Sequence, residues 1–167
     1  MGDAIFNNVA DIVLMGVKPT YPSAKYGYIV PDKKGDTDGA MPVKRFIEKP
    51  DAATAEALIK EGALWNGGVF AFRLGYLMAI IDKLCPGADY AKLHESYESL
   101  PKISFDYEVV EKAKSIAVIS YSGQWKDLGT WNTLTDELQD YAHGNVYTEA
   151  CDETYVINEL EVPVVCL

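Results

Sequence analysis

Hydrophobic and polar residues along this chain follow, in turn, the two-residue period of strands and the roughly 3.6-residue period of helices. Ile5 to Ala10 reads as the tail of a helix, and Ile12-Val13-Leu14-Met15-Gly16-Val17 is a near-continuous apolar run that predicts a buried, parallel strand. Tyr26 to Val30 predicts a short strand between two loops, Lys18 to Lys25 and the charged stretch Pro31 to Met41. From Val43 the pattern alternates: Val43, Arg45 and Ile47 on one side, Lys44, Phe46 and Glu48 on the other. That strand must stop at Pro50, which has no N–H for a ladder. Asp51 then caps a helix predicted over Ala52 to Glu61, and Gly62 closes it.

The second half of Leu64 to Phe72 predicts a strand, with Asn66-Gly67-Gly68 as a turn signal. Leu77, Ile80, Ile81 and Leu84 share a helix face that Pro86-Gly87 ends. Further helices are expected from Ala88 to Ser99 and, capped by Ser104, from Phe105 to Ala113, with Asp106 near its start. Ile116 to Tyr121 predicts another strand, and Thr130 caps a last helix through Leu138. Beyond Gly144, Tyr155 to Ile157 and Val162 to Cys166 predict two short strands, the second at a sheet edge or starting after Pro163. Alternating strands and helices make the class α/β.

Composition narrows the function classes. The 167 residues are 49% hydrophobic and 24% charged, as in an ordinary globular domain. A net charge of −10, from 25 acidic against 15 basic residues, lacks the basic footprint of a nucleic-acid surface. An anionic small molecule is compatible only with local cations or a metal ion. Cys85, Cys151 and Cys166 are far apart and odd in number, which predicts buried thiols in a reducing compartment. His94 and His143 lack zinc spacing, and no apolar run reaches the roughly 18 residues of a membrane span. The opening residues form neither a signal peptide nor a myristoylation signal, so a cytoplasmic location without membrane contact is expected.

Four polar clusters fall at strand ends or turns: Tyr26-Gly27, Glu48-Lys49, Asn66-Gly67 and Asp127. In open α/β sheets such positions hold ligands. Each has a plainer reading as well: Gly27 as a bulge, Glu48-Lys49 as a solvated ion pair, Asn66 as turn chemistry, Asp127 as a turn residue before a helix. Taken together they offer what a phosphorylated sugar needs. A carboxylate accepts from hydroxyls, an amide donates and accepts, an ammonium pairs with phosphate, and Asp127 offers a hard oxygen for Mg²⁺.

Six segments occur in a telling order: Lys18-Pro19-Thr20, Tyr26-Gly27-Tyr28-Ile29, Arg45 to Pro50, Trp65 to Phe70, Phe105 to Lys112 and Trp125-Lys126-Asp127-Leu128-Gly129-Thr130-Trp131. As a set they closely resemble the second half of the catalytic domain of bacterial mannose-1-phosphate guanylyltransferases, over roughly residues 11 to 160. The resemblance implies a partial Rossmann-like nucleotidyltransferase domain, a mixed, mostly parallel sheet flanked by helices, with residues 1–167 as its C-terminal half. It implies that mannose 1-phosphate and GTP are joined into GDP-mannose and pyrophosphate with Mg²⁺. By resemblance the sugar lies against Tyr26-Gly27, Glu48 and Asn66, Lys49 meets the sugar phosphate, and Asp127 shares the metal. The family's Gly-x-Gly-Thr-Arg-Leu nucleotide loop and first metal Asp have no counterpart here, so this chain alone is expected to be inactive. A nucleotidyltransferase for another hexose 1-phosphate and a non-catalytic sugar-phosphate-binding remnant are the alternatives.

Both ends look cut. A buried strand that follows only a helix tail should lack neighbours from the first half. The expectation is an unpaired edge and self-association through it, most simply as a dimer. The alternative is that Gly2 to Ala10 folds over the gap.

Overall fold

The strand predicted from the apolar run, β1 (Ile12–Val17), is paired on both sides in the computed structural model, which describes residues 1–32, 39–135, 137–138 and 140–167. The chain forms two compact units, Met1–Gly123 and Gln124–Leu167. In the first, β1 joins β2 (Tyr28–Pro31), β3 (Ala40–Ile47), β4 (Leu64–Phe72) and β5 (Ile116–Tyr121) in a closed barrel ordered β1-β4-β2-β3-β5. The α/β class holds, but the sheet is not mostly parallel: β1 and β5 run parallel, and the other four pairings are antiparallel. A continuous apolar run reports burial on both faces, not direction. Ile12 and Leu14 face Ile29, Phe46, Val110 and Val118, while Val13, out of phase, faces Ala4, Ala10, Ala40 and Ala117.

That second cluster corrects the expectation of an exposed edge. The short helix α1 (Gly2–Phe6) and the turn after it pack on β1, and Arg73 donates to the Ile5 carbonyl at 3.0 Å. The edge that self-association required is therefore paired, and the N-terminal segment covers this face, as the alternative had it.

Strand β3 starts at Ala40, before the expected Val43. The loop expected over Pro31 to Met41 lies largely on residues 33–38, outside the described residues. Helix α2 (Ala52–Lys60) opens where Asp51 Oδ1 accepts the Thr54 N–H at 2.7 Å, buries Ala55 and Leu58, and ends before Gly62 at φ +86°. The expected turn at Asn66-Gly67-Gly68 is instead a bulge inside a continuous β4. Leu14 pairs with Phe70 and Gly16 with Asn66, so three residues of β4 lie opposite Met15. Gly68 supplies the φ of +70° this requires.

Helix α3 (Leu74–Leu84) forms where predicted, but its expected face is only partly covered: Leu77, Ile80 and Ile81 are half-buried and Leu84 is exposed. The next expected helix is shorter, α4 (Tyr90–Glu95) with a 3₁₀ turn at Tyr97–Ser99. The third is a π-helical turn, Asp106–Val110, anchored by the buried Val109 and Val110. In the second unit α5 (Trp131–Thr135) starts at Thr130, whose Oγ1 accepts the Thr133 N–H at 3.3 Å. Its expected end at Leu138 is three residues beyond the observed Thr135. Four short strands follow, β6 (Ala142–Gly144), β7 (Val146–Thr148), β8 (Val156–Asn158) and β9 (Val164–Cys166), paired in parallel as β6-β8 and β7-β9. Strand β9 begins after Pro163, as expected, whereas β6 and β7 were not expected: Ala142-His143-Gly144 and Val146-Tyr147-Thr148 lack the apolar run that marks Val164-Val165-Cys166. Asn158 holds this unit from within, donating to the Asn145 and Val162 carbonyls at 2.8 and 2.9 Å. All three cysteines are free thiols, but Cys85 alone is buried; Cys151 and Cys166 are half-buried. Among the described residues no helix is long and apolar enough to cross a membrane.

Candidate active site

Strand β2 lies between β3 and β4, and its register decides what meets at the barrel's end. Tyr28 pairs with Ile47 on one side and Trp65 on the other. One residue further along, Gly27, Glu48 and Asn66 therefore fall into a row across three strands. The Asn66 N–H donates to the Gly27 carbonyl at 2.7 Å. A Cβ on Gly27 would overlap Glu48 Oε2 and stand 3.3 Å from Asn66 Cβ, so the absence of a side chain is what lets the row close. The plainer reading of Gly27 as a bulge does not hold: it continues the β2 register.

Glu48 is the chemical centre of the row. Its side chain is 8% exposed, and Oε2 is buried without a hydrogen-bond partner among the described residues. Lys49 Nζ stands 3.8 Å from Oε1, but its own side chain is 57% exposed, so the ion pair reaches into solvent. Burial raises the Glu48 pKa above its ordinary 4.5, and the charges of Asp106 and, more weakly, Glu111 raise it further against the opposing pull of Lys49. Lys49 itself holds φ at +46°, a left-handed conformation that a long side chain adopts at a cost. A solvated surface pair needs neither the burial nor the strain.

Asn66 is fixed through its side chain as well. Nδ2 donates to Asp106 Oδ1 at 2.8 Å, and Oδ1 accepts the Gly68 N–H from the bulge at 3.2 Å. Tyr26 flanks the row, edge-on to the Trp65 ring at 4.9 Å, with Tyr21 on the same indole at 5.0 Å. The structure thus brings together Tyr26, Gly27, Glu48, Lys49 and Asn66. Asp127 belongs to the second unit, where it is exposed and its Oδ1 accepts the Gly129 N–H at 2.8 Å.

Sequence reasoning missed Asp106 and Glu111. Both stand in the Phe105 to Lys112 segment, and acidic residues in an otherwise apolar turn were the available signal. The bond of Asp106 to Asn66, 40 positions away, and the charge that Glu111 exerts on Glu48 lie beyond any local pattern.

The sequence pattern of nucleotidyl transferases matches residues 3–144. This chain belongs to the nucleotidyl transferase family. Its relatives within that family include the xanthan biosynthesis protein XanB of Xanthomonas campestris, 34% identical over 166 residues, with 86% of this chain and 35% of that protein covered. The mannose-1-phosphate guanylyltransferase RfbM of Salmonella typhimurium is 33% identical over 172 residues, covering 89% and 35%. Among solved structures, a protein of Thermus thermophilus described as a mannose-1-phosphate geranyltransferase superposes with a TM-score of 0.68 at 31% identity, over 87% of this chain and 48% of that one. This nucleotidyl transferase chain spans about a third of the length of those curated relatives.

Proposed function

We propose that the chain carries the acceptor-sugar side of a mannose-1-phosphate guanylyltransferase, the enzyme that joins mannose 1-phosphate and GTP into GDP-mannose and pyrophosphate. One observation carries the reading: a buried carboxylate with an unused oxygen, Glu48 Oε2, beside the Lys49 ammonium and in one row with Asn66 across Gly27. Glu48 accepts hydrogen bonds from sugar hydroxyls, Asn66 donates its remaining N–H, and Lys49 pairs with the phosphate. Tyr26 and the Gly27 backbone form the wall against which the ring lies. The names of the relatives, RfbM in particular, support mannose over another hexose.

In the reaction an oxygen of the sugar phosphate attacks the α-phosphorus of GTP. One P–O bond forms as the bond to pyrophosphate breaks. Holding the nucleophile still is most of what this side of the site contributes. Asp127 suits Mg²⁺ in its chemistry, since an exposed single carboxylate is the kind of hard-oxygen ligand that this ion takes together with water and phosphate oxygens. When bound, the ion neutralises charge on the phosphates. Residues 1–167 act as the C-terminal half of the catalytic domain in this reading, and the location is cytoplasmic.

Titration calorimetry tests it. The chain should bind mannose 1-phosphate more tightly than mannose, and Glu48→Gln should weaken binding by about 1–3 kcal/mol. With GTP and Mg²⁺ added, the isolated chain should release no pyrophosphate. Equal affinity for mannose and its phosphate would refute the role of Lys49, and turnover at ordinary enzyme rates of about 1–10³ s⁻¹ would refute the division of labour.

A further inference from the structure

We infer that Asp106 is a positioning residue for this site, fixing which way the Asn66 amide faces. A primary amide can present its oxygen or its NH₂ to a ligand, and the two are opposite in hydrogen-bonding sense. Here one partner of each kind holds Asn66: the Asp106 carboxylate takes an N–H at 2.8 Å, and the Gly68 N–H reaches the oxygen at 3.2 Å. Flipping the amide would set oxygen against carboxylate and NH₂ against N–H. What remains for a ligand is one N–H and one lone pair, in fixed directions.

Asp106 is itself held. It opens the π-helical turn, where its carbonyl accepts the Glu111 N–H at 2.8 Å, and the turn is pinned by Val110, which is fully buried in the main core. The strands alone do not provide this restraint. The groups that act electrostatically on Glu48 are Asp106, Lys49 and Glu111, so the Asp106 charge also strengthens the hold of Glu48 on its proton. The inference rests on the sugar-phosphate reading only for its effect on ligand binding.

The test compares Asp106→Asn with Asp106→Ala in the full chain, by NMR and by calorimetry with mannose 1-phosphate. Asparagine keeps an oxygen that can accept from Asn66 but loses the charge. Asp106→Asn should leave the Asn66 side-chain amide signals in place, keep the mannose 1-phosphate Kd within about threefold, and lower the titration midpoint of Glu48. Asp106→Ala should move the Asn66 signals toward those of a solvent-exposed amide and raise the Kd about tenfold. Unchanged Asn66 signals in Asp106→Ala would overturn the inference. If the alanine protein does not fold, Asp106→Leu, which fills the space but offers no acceptor, takes its place, and unchanged Asn66 signals there would overturn the inference equally. If the unmodified chain fails to bind mannose 1-phosphate, the sugar-phosphate reading falls, while the Asn66 signals and the Glu48 midpoint still decide the role of Asp106.

Discussion

Replacing Gly27 with alanine separates the site from the fold, because only one side of the added methyl can yield. The Gly27 backbone is not in the left-handed region, so alanine adopts it without strain and the cost is steric. The new Cβ would overlap Glu48 Oε2 and stand 2.9 Å from Phe46 Cζ. Phe46 is packed in the main core and has little room. The Glu48 carboxylate is the end of a flexible side chain and swings out. Overpacking of this kind costs about 1–3 kcal/mol of stability. Displacing a charged acceptor from its ligand costs about 1.5–3 kcal/mol in binding, roughly 10- to 150-fold in Kd. Urea unfolding and calorimetry with mannose 1-phosphate read the two effects separately. Gly75→Ala is the control: nothing lies within 4 Å of its added Cβ, and alanine favours helix α3 by up to about 1 kcal/mol. If Gly27→Ala bound mannose 1-phosphate as tightly as the parent, Glu48 would not be a sugar contact and the row would be structural.

Three further outcomes follow from geometry elsewhere. Because folding raises the Glu48 pKa above 4.5, the native state holds that proton more firmly than the unfolded chain, and stability should fall as pH rises from about 4.5 through the folded value. Glu48→Gln removes the fall, so its stability relative to the parent should grow over the same window; urea midpoints that stay parallel across it would contradict the assignment. The buried Tyr28 hydroxyl donates to the Ser23 carbonyl at 3.0 Å and accepts its N–H at 2.9 Å, so Tyr28→Phe should cost about 1–3 kcal/mol in thermal or urea unfolding. Gly16→Ala would set a methyl 2.6 Å from both Leu64 Cδ1 and Val118 Cγ2 and should cost about 1–3 kcal/mol, measured the same way.

Local physics was legible in the sequence. The limits of β1 and β5 and the Asp51 cap are set by neighbouring residues, and pattern reading finds them. Strand direction was not legible. Ile12 to Val17 is apolar because both of its faces are covered, which a barrel and a parallel sheet achieve equally well. The bulge at Gly67-Gly68 looks like a turn because both need the same left-handed glycine. Of the candidate site, Tyr26, Gly27, Glu48, Lys49 and Asn66 stand in short motifs, and those motifs together with the family likeness put them forward as a group that the structure brings together. Asp106, which supports one of them from behind, reaches Asn66 across 40 residues of sequence and leaves no local pattern.

Closing the sheet leaves none of the five strands as an edge, so none can fray alone from one side. The seams are unequal, however. Strand β1 meets β5 through six residue pairs, whereas β2 meets β4 through two, Tyr28–Trp65 and Ile29–Leu64. The bond from Asn66 to Gly27 extends that short seam, and the candidate site lies across its end. A sugar held between Glu48 and Asn66 would act as a clasp on the weakest ladder of the barrel. Occupancy would then be felt as slower opening between β2 and β4, visible as slowed exchange of the Asn66 amide proton, while the β1–β5 ladder would exchange through global unfolding alone.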